Sequence, residues 1–169
     1  MNLIVAQAVR ITQASSGSVV LINPTTHLLE IHASHGLPSK ASDLRLRVGE
    51  GITGWVAEYG RPARIGDVAQ DPRYVRVRET AHSDLAVPLT VRGEVRGVLN
   101  VDSERENAFS ETDEALLIDL ADHAAKVIHD TWLYAQLGLK ARLFEALVKV
   151  SQTINTTLNL DEALQVITR

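Results

Sequence analysis

Leu85-Ala86-Val87-Pro88-Leu89-Thr90-Val91-Arg92-Gly93-Glu94-Val95-Arg96-Gly97-Val98-Leu99-Asn100-Val101 decides the fold. Leu85, Val87, Leu89 and Val91 recur at every second position, the period at which strand side chains return to one face. Val95, Leu99 and Val101 carry a partner strand. Arg92-Gly93-Glu94 between them is short enough for a hairpin, so an antiparallel sheet is expected. Further strands lie upstream. Leu29, Ile31 and Ala33 alternate with Glu30 and His32, and Leu44, Leu46 and Val48 alternate with Arg45 and Arg47. Residues 18–22 form a short β-branched run before the turn Asn23-Pro24-Thr25-Thr26. Arg61-Pro62 opens an extended piece through Ile65, and residues 67–74 read as an irregular loop holding one turn of helix.

Helices frame these strands. Ile4, Ala8 and Ile11 recur at helical spacing over residues 2–14. Glycines open and close Gly49-Glu50-Gly51-Ile52-Thr53-Gly54-Trp55-Val56-Ala57-Glu58-Tyr59-Gly60, a short helix entered from a tight turn. Ser110 stands three residues ahead of Asp113, as in a capped helix start. Leu116, Leu120, Ala124, Val127, Thr131 and Tyr134 follow at three-four spacing, and Leu143, Leu147, Val150 and Ile154 resume it after Gly138. The polar residues 155–159 are expected to end that helix, and Asp161 to cap a fresh one. The result is an α+β domain over residues 1–130, with five or six antiparallel strands between helical layers, and a helical extension over 131–169.

Composition narrows the function. The 169 residues are 45% hydrophobic and 22% charged, with a net charge of −4. That suits a globular domain and gives no electrostatic reason to expect nucleic acid as a partner. No apolar run approaches the ~18 residues of a membrane span, so membrane contact is not expected of this segment and a cytoplasmic location is. Cysteine is absent, which removes disulfides and thiol chemistry within the chain.

Six pieces in order resemble the GAF domain, the sensory module of bacterial signal-transduction proteins. They are Gly49-Glu50-Gly51-Ile52-Thr53-Gly54-Trp55; Arg61-Pro62 with Ile65-Gly66-Asp67-Val68; Asp71-Pro72-Arg73-Tyr74; Ser83-Asp84-Leu85-Ala86-Val87-Pro88-Leu89; Gly93-Glu94-Val95-Arg96-Gly97-Val98-Leu99-Asn100-Val101; and Phe109-Ser110-Glu111-Thr112-Asp113-Glu114. Leu160-Asp161-Glu162-Ala163-Leu164 resembles the opening of a second such domain. The resemblance implies a small-molecule pocket on one sheet face, with Trp55, Asp67, Tyr74, His82, Ser83 and Asp84 as ligand-binding residues. It implies a sensing and dimerisation module of a multidomain two-component protein, a sensor histidine kinase, that relays pocket state through the C-terminal helix of a parallel homodimer. A ligand-free spacer and a cysteine-independent enzyme on a small soluble substrate are the alternatives.

Particular chemistries fare unequally. Cyclic-nucleotide-binding members carry an Asn-Lys pair ahead of Phe109, Asp113 and Glu114, and Asp102-Ser103-Glu104 stands there instead. Members that reduce free methionine sulfoxide, or attach a bilin, use cysteine. Haem needs an axial ligand, and His82 is the histidine placed nearest a pocket. No cofactor can be named, no metal-ligand spacing is present, and no catalytic residue is assigned. Arg73, Arg76 and Arg78 beside Tyr74 suit either a carboxylate or phosphate at the pocket mouth or a solvated loop balanced by Glu79, Asp84 and the acidic stretch after Asp102.

Overall fold

The computed structural model builds the hairpin of residues 85–101 into a six-stranded sheet. It describes residues 1–39, 41 and 45–167, and the side chains of 1–39, 41, 45–129 and 140–149. In chain order the elements are α1 (Asn2–Thr12), β1 (Ser16–Ile22), β2 (Leu28–His35), β3 (Leu46–Arg47), α2 (Gly51–Tyr59) and β4 (Ala63–Ile65). A turn of 3-10 helix (Val68–Gln70) follows, then β5 (Ser83–Val91), β6 (Glu94–Ser103) and α3 (Glu111–Ile167). The strands lie in the order β3-β2-β1-β6-β5-β4, every neighbouring pair antiparallel. The expected α+β class is found. Two units result, Met1–Val127 and a helical remainder that begins at Ile128.

The register fixes two faces. Val19 stands opposite Leu99, and Leu99 opposite Val87. Paired residues share a face, and this one is dry: Val19, Leu85, Val87, Leu89, Leu99 and Val101 are fully enclosed. Helix α1 lies against it, since a methyl group on Gly17 would touch Val9 at 3.0 Å. The buried stripe of α1 is Val5, Ala8 and Thr12, one position round from the expected Ile4, Ala8 and Ile11. Thr12 tolerates burial because its hydroxyl donates to the Ala8 carbonyl at 2.8 Å.

The opposite face holds Val20, Val98, Ala86 and Ala63, on which α2 sets Ile52, Val56 and Ala57. Glycine at position 54 lets α2 close on the turn that leads into it. A Cβ there would lie 2.6 Å from the Arg47 carbonyl, so the motif glycine reflects contact with backbone.

Three expectations need correction. His32 is an extra residue in β2, because Ala33 pairs with Val19 while Ile31 pairs with Val20. The bulge moves Ala33 to the dry face, away from Leu29 and Ile31, with which simple alternation grouped it. In α3 the buried positions among the described residues are Leu117, Ala121, Ala124, Ala125 and Ile128, whereas Leu116 and Val127 are exposed. The pattern there is carried by small residues as well as leucines. Finally, α3 continues through Gly138 and residues 155–159 to Ile167, so neither the expected stop nor the fresh cap at Asp161 is found. A run of Thr and Asn lowers helix propensity by only a few tenths of a kcal/mol per residue. Leu44 and the side chains of Thr131, Tyr134, Val150 and Ile154 lie outside the described residues.

The start of α3 agrees with the sequence. Ser110 N–H and Oγ both donate to Asp113 Oδ2, at 2.8 and 2.6 Å, and Ser110 Oγ lies 3.3 Å from the Asp113 N–H. This is a reciprocal cap. Arg64 of β4 reaches Glu114 at 3.0 Å and ties the first turn to the sheet.

Candidate functional site

The face under α2 is apolar at one end and polar at the other. Register explains the change. Ser16 stands opposite Asp102, and Asp102 opposite Asp84, so one row crosses three strands. Ser18 stands opposite Asn100 in the next row. These polar residues alternate along their strands with Val19, Val101 and Leu85 of the dry face.

A cavity lies over this polar end. It is a small cavity of about 70 Å³ that opens to solvent. Val20, Leu29, Ile31, Leu46, Ile52 and Val75 supply apolar wall; Ser18, Tyr74, Arg78, Asp84, Asn100 and Asp102 supply the polar groups.

The electrostatics follow from burial. Asp84 is 6% exposed and accepts from Asn100 Nδ2 at 3.3 Å. Burial pushes its carboxyl up to about 7; the Asn100 hydrogen bond opposes this, and the neighbouring Asp102 charge adds to it. Asp102 accepts a hydrogen bond from Ser16 Oγ and meets Arg78 Nε at 3.1 Å. The Tyr74 hydroxyl is also pushed up, first by burial and then by Asp84 and Asp102. Asp84 Oδ1 and Asn100 Oδ1 are buried without a hydrogen-bond partner. Buried acceptors left in this state cost ~1–3 kcal/mol each, and both belong to residues that line the cavity.

Among the residues the sequence singled out, Tyr74 and Asp84 line the cavity; Trp55, Asp67, His82 and Ser83 do not. Trp55 packs half-buried at the edge of the α2 core, under the Arg73 guanidinium at 4.7 Å and 5.2 Å from the Tyr59 ring. Asp67 caps the 3-10 turn by accepting from Ala69 N–H. His82 is exposed, and its backbone N–H donates to the Ser103 carbonyl. Ser83 is buried, with Oγ 2.7 Å from the Arg105 carbonyl. The arginine cluster is balanced by local carboxylates: Arg73 is bidentate on Asp71, and Arg78 bridges Asp102 and Glu104. That partner holds the Asp71 carboxyl below the usual range and raises the Arg73 guanidinium.

Of the polar cavity residues, Ser18, Asn100 and Asp102 were not assigned from sequence, while Arg78 entered there as one of the arginines suited either to the pocket mouth or to a solvated loop. The signal for Asn100 and Asp102 was present in Val98-Leu99-Asn100-Val101-Asp102, where polar residues occupy the face opposite Leu99 and Val101.

This arrangement of a six-stranded sheet, α2 over one face and a cavity at its polar end has a family. The GAF domain model matches residues 1–129. The chain belongs to the GAF family. Protein YtsP of Bacillus subtilis is 32% identical over 93 residues, covering 55% of this chain and 55% of its own length. Free methionine-R-sulfoxide reductase of Escherichia coli is 29% identical, over 54% of this chain and 56% of its own. The chain thus spans about half the length of the curated relatives it matches. Among solved structures, the GAF domain of a phosphoenolpyruvate-protein phosphotransferase from Coxiella burnetii superposes with a TM-score of 0.74 at 28% identity, covering 80% of this chain and 83% of that one. GAF domains are regulatory small-molecule-binding modules of signalling proteins, and this chain carries one. Among its described helices, none is long and apolar enough to cross a membrane.

Proposed function

We propose that this GAF domain senses a small ligand rich in hydrogen-bond donors, held over Asp84 and Asp102 of one row and Asn100 of the next. The observation that carries the reading is the pair of buried, unpartnered acceptors, Asp84 Oδ1 and Asn100 Oδ1, on cavity-lining residues. Buried oxygens of this kind call for a hydrogen-bond donor. The apolar wall from Val20 to Val75 suits the body of the same molecule. The site residues are then Tyr74 and Asp84 from the original set together with Asn100 and Asp102. Trp55 and Asp67 position the loop, and His82 and Ser83 anchor the start of β5.

Screening the full chain by thermal shift against small amines, amino acids, amides and polyols tests this. Donor-bearing compounds are expected to raise the melting temperature, and Asn100→Leu to abolish the rise. Uniformly flat curves across the panel would leave a ligand-free spacer as the function. The enzymatic alternative draws support from the reductase relative, yet the chain has no cysteine for the thiol chemistry that the resemblance attaches to such enzymes.

Signal output follows from the C-terminal helix in this proposal. A multidomain two-component parent with a histidine kinase as its output rests on the family resemblance, as does a following GAF domain beginning within 131–169. A parallel homodimer has an observation in its favour. Leu143, Phe144, Leu147 and Val148 form an exposed apolar stripe on α3, at 61%, 69%, 60% and 38% exposure. Burying each large apolar side chain is worth ~1.5–3 kcal/mol, and a second copy covers them symmetrically. Light scattering is expected to give twice the chain mass. Phe144→Glu with Leu147→Glu should return the monomer without lowering the melting temperature of residues 1–127. A wild-type monomer at high concentration would remove the dimer.

A further inference from the structure

Residues 75–81 form the strap between Tyr74 and β5, and they cover the cavity with Val75, Val77 and Arg78. Few backbone bonds hold this strap. Among the described residues, Ala81 N–H to the Arg78 carbonyl, at 3.4 Å, is its one backbone–backbone bond before His82 joins the sheet edge through the Ser103 carbonyl. Side chains do the holding. Thr80 Oγ1 lies 3.0 Å from Glu104 Oε1, the Tyr74 hydroxyl donates to the Arg78 carbonyl at 3.4 Å, and Arg78 binds both Asp102 and Glu104.

The two arginine pairs of this loop differ in kind. Arg73 forks onto one carboxylate, Nε at 2.9 Å and Nη2 at 2.6 Å from Asp71. Arg78 instead gives one nitrogen to each of two carboxylates, Nε to Asp102 at 3.1 Å and Nη2 to Glu104 at 3.2 Å, and neither contact is an aligned hydrogen bond. Planar bidentate pairing is the strong arrangement. A split, misaligned one is weaker and easier to exchange. Its two partners also differ in place: the Asp102 side chain is 7% exposed, while that of Glu104 is 57% exposed. Arg78 therefore has an inner and an outer station.

We propose that Arg78 is a latch on Asp102, holding the place that a cationic group of the ligand takes. Entry of that group moves the guanidinium outward to Glu104 and frees residues 75–81. The argument for a cation is the cost of a bare buried carboxylate, which forbids a neutral molecule from expelling Arg78 without replacing its charge. The proposal rests on the sensing function above and adds its ligand charge and its moving part.

The test uses the full chain, with ethylammonium chloride as the probe and tetramethylammonium and sodium chlorides as controls of equal ionic strength. Amide hydrogen exchange at Ala81 and His82, the hydrogen-bonded amides at the end of the strap, is expected to accelerate with ethylammonium alone. In Arg78→Gln that exchange should be at least tenfold faster without any probe, and ethylammonium should bind at least tenfold more tightly. Arg78→Lys, which keeps the charge, should fall between the two and serves if the glutamine variant does not fold. Unchanged exchange in both variants, or weaker ethylammonium binding, overturns the latch. If donor-bearing compounds stabilise the protein yet both variants leave exchange and ethylammonium binding unchanged, the latch falls and the sensing function stands.

Discussion

Asp84→Asn is expected to stabilise the domain at pH 8 by up to about 4 kcal/mol and to change little at pH 4. The sign follows from proton binding. The folded protein holds the Asp84 proton up to a pH of about 7, whereas the ordinary carboxyl releases it near 3.8. Between these values the folded chain binds more protons than the unfolded chain, so stability falls as pH rises. Roughly three units at ~1.4 kcal/mol each give the stated ceiling, reached above pH 7. Asparagine keeps the shape and an oxygen toward Asn100 Nδ2 without the charge. Urea unfolding at pH 4, 6 and 8 measures it. Parallel curves for the two proteins across this range would show that Asp84 ionises as freely as an exposed carboxyl.

Gly97→Ala is expected to cost about 3 kcal/mol or more, enough to unfold much of the protein at physiological temperature. A Cβ at this position would fall on the Val20 carbonyl oxygen and lie 2.7 Å from Leu21 Cδ2. The Val20 atom is backbone of the paired strand, so no rotamer change relieves the overlap. β1 and β6 would have to separate where the fold brings residues far apart in sequence together. Gly93 is the control. It sits in the hairpin turn at φ +83 with nothing within 4 Å of a built Cβ. Alanine there should cost only ~1 kcal/mol, through backbone conformation. Equal midpoints for the two variants in urea would refute the crowding at Gly97.

These two residues mark what was legible in the sequence and what was not. The hairpin, the α2 glycine turn and the Ser110–Asp113 cap could be read because each depends on residues a few positions apart. Gly97 was visible as part of a motif, but its contact with Val20 depends on a pairing some 80 residues apart that no local period encodes. The same limit hid the site. Asp84 was assigned from the resemblance, whereas Asp102 and Asn100 join it only when β5, β6 and β1 come into register. Arg78 belongs to a strap with no periodicity to interpret. The bulge at His32 likewise escapes alternation, since one inserted residue reverses every side chain after it.

The order of strands has a consequence for the molecule in a crowded solution. The sheet ends on β3, which has two residues, and on β4, which has three. Of the long strands β6 and β1 are paired on both sides, whereas β5 meets β4 only over Asp84–Ala86 and β2 meets β3 only at Leu28 and Leu29. An open strand edge is a template for another chain, and fibrous aggregates grow by adding strands to such edges. The outermost strands are too short to template much, and in the open part of β5 Pro88 has no N–H to offer an incoming strand. Pro62 stands directly ahead of β4 without an N–H to donate, and Arg64 in its middle is held on Glu114 of α3. The domain can thus sit at high local concentration, as neighbouring copies in an assembly would require, without its sheets fusing into one.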